Sequence, residues 1–86
     1  MDKFSIEPIE FTDDEIKAFY KNIGLKVKNL RAQKNISQLE LALAVGFKTV
    51  SSVAKPEILL DNKHFNLEHL YKIAKVLDVD IKYFFE

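Results

Sequence analysis

The stretch Ser37 to Gly46, SQLELALAVG, constrains the fold more than any other part of the chain. Ser37 stands three residues before Glu40. That is the spacing of a capping box, in which a hydroxyl and a carboxylate satisfy free backbone N–H groups reciprocally. The box opens a short helix with Leu41, Ala42 and Val45 turned inward, and Gly46 can end it with a left-handed cap. Lys48 to Lys55 offers a second short helix carrying Val50, Val53 and Ala54. Pro56 is expected to limit it, because a proline disfavours helical geometry in the residue before it. Two helices joined across Gly46-Phe47-Lys48 must cross closely. Ala42 is small enough for that approach, Gly46 turns the backbone, and Leu41, Val45, Phe47 and Val53 can anchor the crossing.

The flanking segments read as further helices. Thr12-Asp13-Asp14-Glu15 is a second capping box, with three acids that complement the helix dipole. Ile16, Phe19, Tyr20, Ile23, Val27 and Leu30 follow at spacings of three and four, one apolar stripe on an amphipathic helix. The pattern predicts a helix from Asp13 to Gln33, roughly 30 Å long at 1.5 Å per residue, with Gly24 as its weak point. Asn66 caps another helix whose apolar face is Leu67, Leu70, Tyr71, Ile73, Ala74 and Leu77. Asp80 caps a final turn or two that can dock Ile81, Phe84 and Phe85. At the other end, Phe4 to Phe11 alternates apolar residues but is broken by Pro8, which suits an extended arm or an edge strand.

With 86 residues the chain has room for one domain. Two readings divide it: residues 1–12 as an acidic extended arm and residues 13–86 as the folded body. The formal net charge is zero, but it is unevenly spread: residues 1–15 carry −5 and residues 16–86 carry +5. Only a local basic face is needed to follow a phosphate backbone. So small a core often gains stability from dimerisation. There is no cysteine, which removes disulfides and thiolate metal sites. No apolar run approaches the ~20 residues that span a bilayer, and the N-terminus lacks the pattern of a signal peptide. A soluble cytoplasmic protein with no membrane partner is expected.

Catalytic chemistry finds little support. Ser51-Ser52 lacks nucleophile-elbow glycines and a paired histidine. His64 and His69 have no clear third ligand, and Asp13-Asp14-Glu15 reads as a helix start. No glycine-rich phosphate loop is present. The expectation is a protein that is not an enzyme and uses no cofactor or metal.

From Ile23 to Phe85 the chain resembles the phage-repressor-type helix-turn-helix proteins, the xenobiotic-response-element (XRE) family. The resemblance lies in IGLKVKNLRAQKNISQLELALAVGF and NLEHLYKIAKVLDVDIKYFF and covers about three-quarters of the chain. It implies an all-α, compact five-helix domain with a long first helix, here preceded by an arm. It also implies a transcriptional regulator, a repressor on operator DNA, acting on double-stranded DNA as a homodimer. The second helix of the motif would enter the major groove. Gln38 matches a glutamine that meets a phosphate or a base edge, and with Ser37 it stands at a helix N-terminus, which favours phosphates.

The stretch Lys48 to Glu57 departs from the family pattern. One extra residue in the turn would move Val53 and Pro56 into the family's inward positions and Glu57 onto its frequent glutamate. The outward candidates are then Lys48, Thr49, Ser51, Ser52 and Lys55. No arginine, asparagine or glutamine lies among them, so direct base readout by this helix is expected to be weak. Arg31 and Lys34, at the end of the basic run Lys26, Lys28, Arg31, Lys34, are the other DNA candidates; a solvated face is the alternative reading of that run.

Two segments have no place in the minimal domain: residues 1–15 and Ile58-Leu59-Leu60. Their apolar residues either cap the core or meet a partner. This leaves a rival reading of a different class. In it the chain is a protein-interaction module, such as an antitoxin or a phage accessory factor, with its N-terminal arm meeting a toxin or another regulator.

Overall fold

A computed structural model describes residues 6–86, so Phe4 and the rest of the first five residues lie outside the described part. Thr12 and Glu15 form the box their spacing predicts. The Glu15 N–H donates to Thr12 Oγ1 at 3.1 Å, and the Thr12 N–H donates to Glu15 Oε2 at 2.7 Å. From there α1 runs over Asp13–Gln33. Ser37 and Glu40 repeat the arrangement at 3.0 and 2.8 Å and open α2, Gln38–Val45. Gly46 follows at φ 93°, in the left-handed region that suits glycine. Then come α3, Ser51–Glu57, and α4, Leu67–Leu77. Short 3-10 turns cover Leu60–Asn62 and Ile81–Phe85. No strand occurs among the described residues, and residues 6–12 of the arm carry no regular structure.

The architecture is all-α. It differs in detail from the five helices expected: the last element is a five-residue 3-10 turn, capped by the Asp80 carboxylate, which accepts the Lys82 N–H at 2.9 Å. Its Phe84 is almost fully buried and closes the core from below. The core itself joins Ile23, Val27 and Leu30 of α1, Leu41 and Ala42 of α2, and Val53 of α3. Phe65 and the α4 residues Leu70, Ile73, Ala74 and Leu77 complete it.

Several apolar positions depart from the expected pattern. The α1 stripe is core only from Ile23 onward; Ile16 and Phe19 are exposed, and of the first two turns only Tyr20 is half-buried, stacked on His64. On α4, Leu67 and Tyr71 sit at the surface while Leu70, Ile73, Ala74 and Leu77 are buried. Val50 also faces solvent, because α3 starts one residue after it and its φ and ψ of −65° and −24° make it the half-turn that leads in.

Gly24 is a contact point, not a weak point. A Cβ there would stand 2.4 Å from the Pro56 carbonyl oxygen and 2.8 Å from that of Glu57, so α1 and the C-terminal end of α3 touch backbone to backbone. Pro56 does not stop α3 early either. The helix runs through it to Glu57. In the last turn its missing N–H removes only one ladder bond, and Pro56 is buried with its carbonyl at the α1 contact.

Candidate nucleic-acid interface

Glu57 organises the motif. Its carboxylate is buried, 2 % exposed as a residue, and accepts three hydrogen bonds from two helices. Arg31 Nε donates to Oε2 at 2.7 Å and Arg31 Nη2 donates to Oε1 at 3.0 Å. Gln38 Nε2 donates to Oε1 at 2.9 Å. Arg31 Nη1 donates to the Ile36 carbonyl at 2.8 Å, tying down the loop between α1 and α2. A bidentate arginine–carboxylate pair has strong geometric preference. Buried, it fixes orientation more than it adds net stability, since desolvation offsets much of the attraction. One carboxylate on α3 thus sets α1 and α2 at a fixed angle to it.

The inward set on α3 is Val53, Pro56 and Glu57, all buried. This is the arrangement with one extra residue in the turn. It leaves Lys48, Thr49 and Ser51 exposed on the outer side, with Ser52 half-buried beside them. Lys55 is half-buried and its Nζ lies 3.2 Å from Asp61 Oδ2 in the loop that follows. Solvent reaches both side chains of that pair, so it adds little to stability. Lys34 is exposed at the end of α1. Ser37 is exposed with its oxygen engaged as the α2 cap. Arg31 and Gln38, expected to face DNA, are brought together on Glu57 instead of standing free at the surface. The Glu40 carboxyl is held below its usual range by hydrogen bonds from the Ser37 backbone and hydroxyl, which keeps the α2 cap charged.

The turn between α2 and α3 rests on α4. The Phe47 ring meets the His69 ring edge-on at a centroid distance of 4.9 Å. His69 is also the third residue of the α4 capping box. Its own N–H donates to Asn66 Oδ1 at 2.7 Å, and its Nδ1 faces the Asn66 N–H at 3.3 Å. Partial burial pushes its pKa down, with Lys72 and His64 adding to that direction and Glu68 opposing it. A lowered pKa keeps the ring neutral and Nδ1 free to accept. His69 is therefore a structural residue, and no cluster of histidines and acids that could hold a metal exists among the described residues.

Sequence reasoning placed Glu57 correctly but did not supply its partners. The signal was there: an arginine and a glutamine flanking the first helix of the motif, with one acid on an inward position of the second. It also missed Val50, an exposed apolar side chain beside Thr49 and Ser51.

Two short packed helices, the first with a buried alanine, joined by a left-handed glycine and a tight turn, with a polar outer face on the second, define a helix-turn-helix protein. A family model described as helix-turn-helix matches residues 27–84. The chain belongs to that family, the phage-repressor-type (XRE) proteins, and is a DNA-binding regulator of that type. A comparison with curated proteins returns no match. No helix among the described residues is long and apolar enough to cross a membrane.

Proposed function

We propose that this protein is a repressor that binds operator DNA as a homodimer, with α3 in the major groove. The observation that carries this reading is the division of α3 and the turn that leads into it: Val53, Pro56 and Glu57 are buried in the body while Lys48, Thr49 and Val50 of the turn and Ser51 of the helix are exposed. On DNA, Lys48, Lys55 and Lys34 meet phosphates, and Ser37 and Gln38 at the start of α2 meet the backbone beside them. Thr49, Ser51 and Ser52 offer hydroxyls to phosphates or base edges, and Val50 offers methyls to a thymine methyl. With Arg31 held on Glu57, its role is to orient Gln38 and the loop at Ile36. The body of residues 13–86 does this work and residues 1–12 stand apart from it.

Gel-shift titration on the DNA upstream of the protein's own gene tests this. Binding is expected at low salt and should fall steeply as salt rises, through counterion release. Lys48→Ala should weaken binding to all duplexes and lower the salt slope by about one. Ser51→Ala should weaken the operator alone. Absence of binding to any duplex at low salt would overturn the proposal.

A further inference from the structure

Two of the chain's three tyrosines already carry a cation over the ring. Lys26 Nζ stands 5.1 Å from the Tyr83 centroid, and Lys75 Nζ stands 5.6 Å from that of Tyr71. Both lie within the roughly 6 Å at which the electron-rich face of a ring attracts positive charge. Tyr20, the third, has no lysine or arginine over it among the described residues. It lines a cleft of about 550 Å³ between α1 and the start of α4, together with Phe19, His64, Phe65 and Phe85. The Phe19 ring meets that of Tyr20 at a centroid distance of 5.6 Å, and His64 stacks on Tyr20 at 3.7 Å. Phe19 and Phe85 are 52 and 44 % exposed, so solvent reaches their rings.

The fixed charge of the cleft has one sign. Glu68 is its one acid, and no lysine or arginine lines it. The hydrogen bond from Lys72 holds the Glu68 carboxyl below its ordinary range, so it is ionised at neutral pH. Lys72 Nζ reaches Glu68 Oε2 at 2.8 Å from one turn further along α4. Both side chains are exposed, and a pair of that kind holds weakly.

We propose that this cleft is a binding site for a small organic cation with an aromatic body. The rings of the walls take the body and turn electron-rich surface toward the positive charge, and Glu68 takes the ammonium group in exchange for Lys72. The volume suits such a ligand, since small-molecule sites run from about 300 to 1,000 Å³ and set a few polar groups in largely apolar walls. The chain's own arm is the wrong occupant, because it would bring Glu7 and Glu10 to a cleft that already holds an acid. None of the lining residues belongs to α2 or α3, so the site is separate from the face assigned to DNA and does not depend on that reading.

Amide chemical shifts of the full ¹⁵N-labelled chain, followed against benzylammonium, benzyl alcohol and benzoate, test the site. These three probes share one ring and nearly one size and differ in charge. The titrations are run at about pH 7.5, above the ordinary histidine value. The expected order is cation, then alcohol, then anion. Benzylammonium should bind with a Kd of about 1 mM or tighter, and benzyl alcohol about fivefold more weakly. The shifts should centre on Tyr20, Phe65 and Glu68. Glu68→Gln should weaken the cation about threefold or more, and Lys72→Met should tighten it about twofold by freeing the carboxylate. Phe19→Leu, which stays apolar but loses a ring face, should weaken it about threefold. All three positions are exposed, so an unchanged circular dichroism spectrum should accompany each change. Equal affinity for cation and alcohol, any of the three variants binding the cation as the wild type does, shifts centred on another part of the chain, or no saturable binding at all overturns the proposal. Operator binding is read separately by gel shift, and none of these outcomes alters it.

Discussion

The two helices of the motif are held by different means. α2 is built from its own sequence: a reciprocal cap at Ser37 and Glu40, an apolar face, and Gly46 at φ 93° to end it. α3 has neither a cap nor a closing glycine, and its inward face is only Val53 and Pro56 beside Glu57. It has seven residues, no side-chain cap, and a proline in its last turn. What holds it is distant in sequence: the backbone of α1 at Gly24, and Arg31 on Glu57 across 26 positions. The helix that positions the motif is locally encoded, and the helix that faces outward is tertiary-encoded. Its outer residues are thus free to change without loss of the element, because none of them helps to form it.

The strongest way to break this contrast is Glu57→Ala. It strands the Arg31 guanidinium in a part-buried site and removes the acceptor of Gln38. Losing one partner of a buried pair costs about 3–5 kcal/mol, a large share of a small domain's stability, and urea unfolding should read it directly. Gly24→Ala comes next. In an ordinary helix this change stabilises by about 0.5–1 kcal/mol. Here the new methyl meets backbone oxygen, and overpacking of this kind costs about 1–3 kcal/mol. The sign of the shift in Tm decides the matter. Amide exchange should quicken in α3 more than in α2, and a stabilised variant would refute the close approach.

Ser37→Ala is the matching change in α2 and should cost about 1 kcal/mol, the usual worth of a cap, measured by the same urea titration. The smallest effect concerns His69, whose folded pKa lies below its ordinary value through partial burial. The unfolded chain then takes up the proton more readily than the folded one. The stabilisation is complete above the ordinary histidine value of about 6.5 and is lost as pH falls through the lower folded value. Protonation also removes the acceptor for the Asn66 N–H. A modest fall in Tm between neutral and mildly acid pH, reduced in His69→Gln, would show it.

The same contrast explains which parts of the structure were legible in the sequence. Caps at Thr12, Ser37, Asn66 and Asp80 are short-range chemistry, and each forms as its spacing predicts. In the sequence Gly24 looks like a weak point, because the carbonyls that demand it belong to residues 56 and 57. Arg31 looks like one more member of a basic run with its lysine neighbours, because its carboxylate partner lies on another helix. The α1 stripe is periodic from Ile16 to Leu30, and periodicity alone does not reveal that the core begins only at Ile23. The inward set Val53, Pro56, Glu57 was reachable because it follows from helical spacing once the turn is lengthened by one residue.

The fork on Glu57 has a consequence for the nucleic acid. With α1, α2 and α3 bonded through one buried carboxylate, the angle between the two helices of the motif is a constant of the protein. A duplex whose groove does not match that angle has to supply the adjustment. Operators with the same contacted bases but different central steps should then rank by stiffness, with flexible pyrimidine–purine steps bound more tightly than rigid A-tracts wherever the match requires a bend. Part of this regulator's selectivity would then be written in base pairs that it never touches.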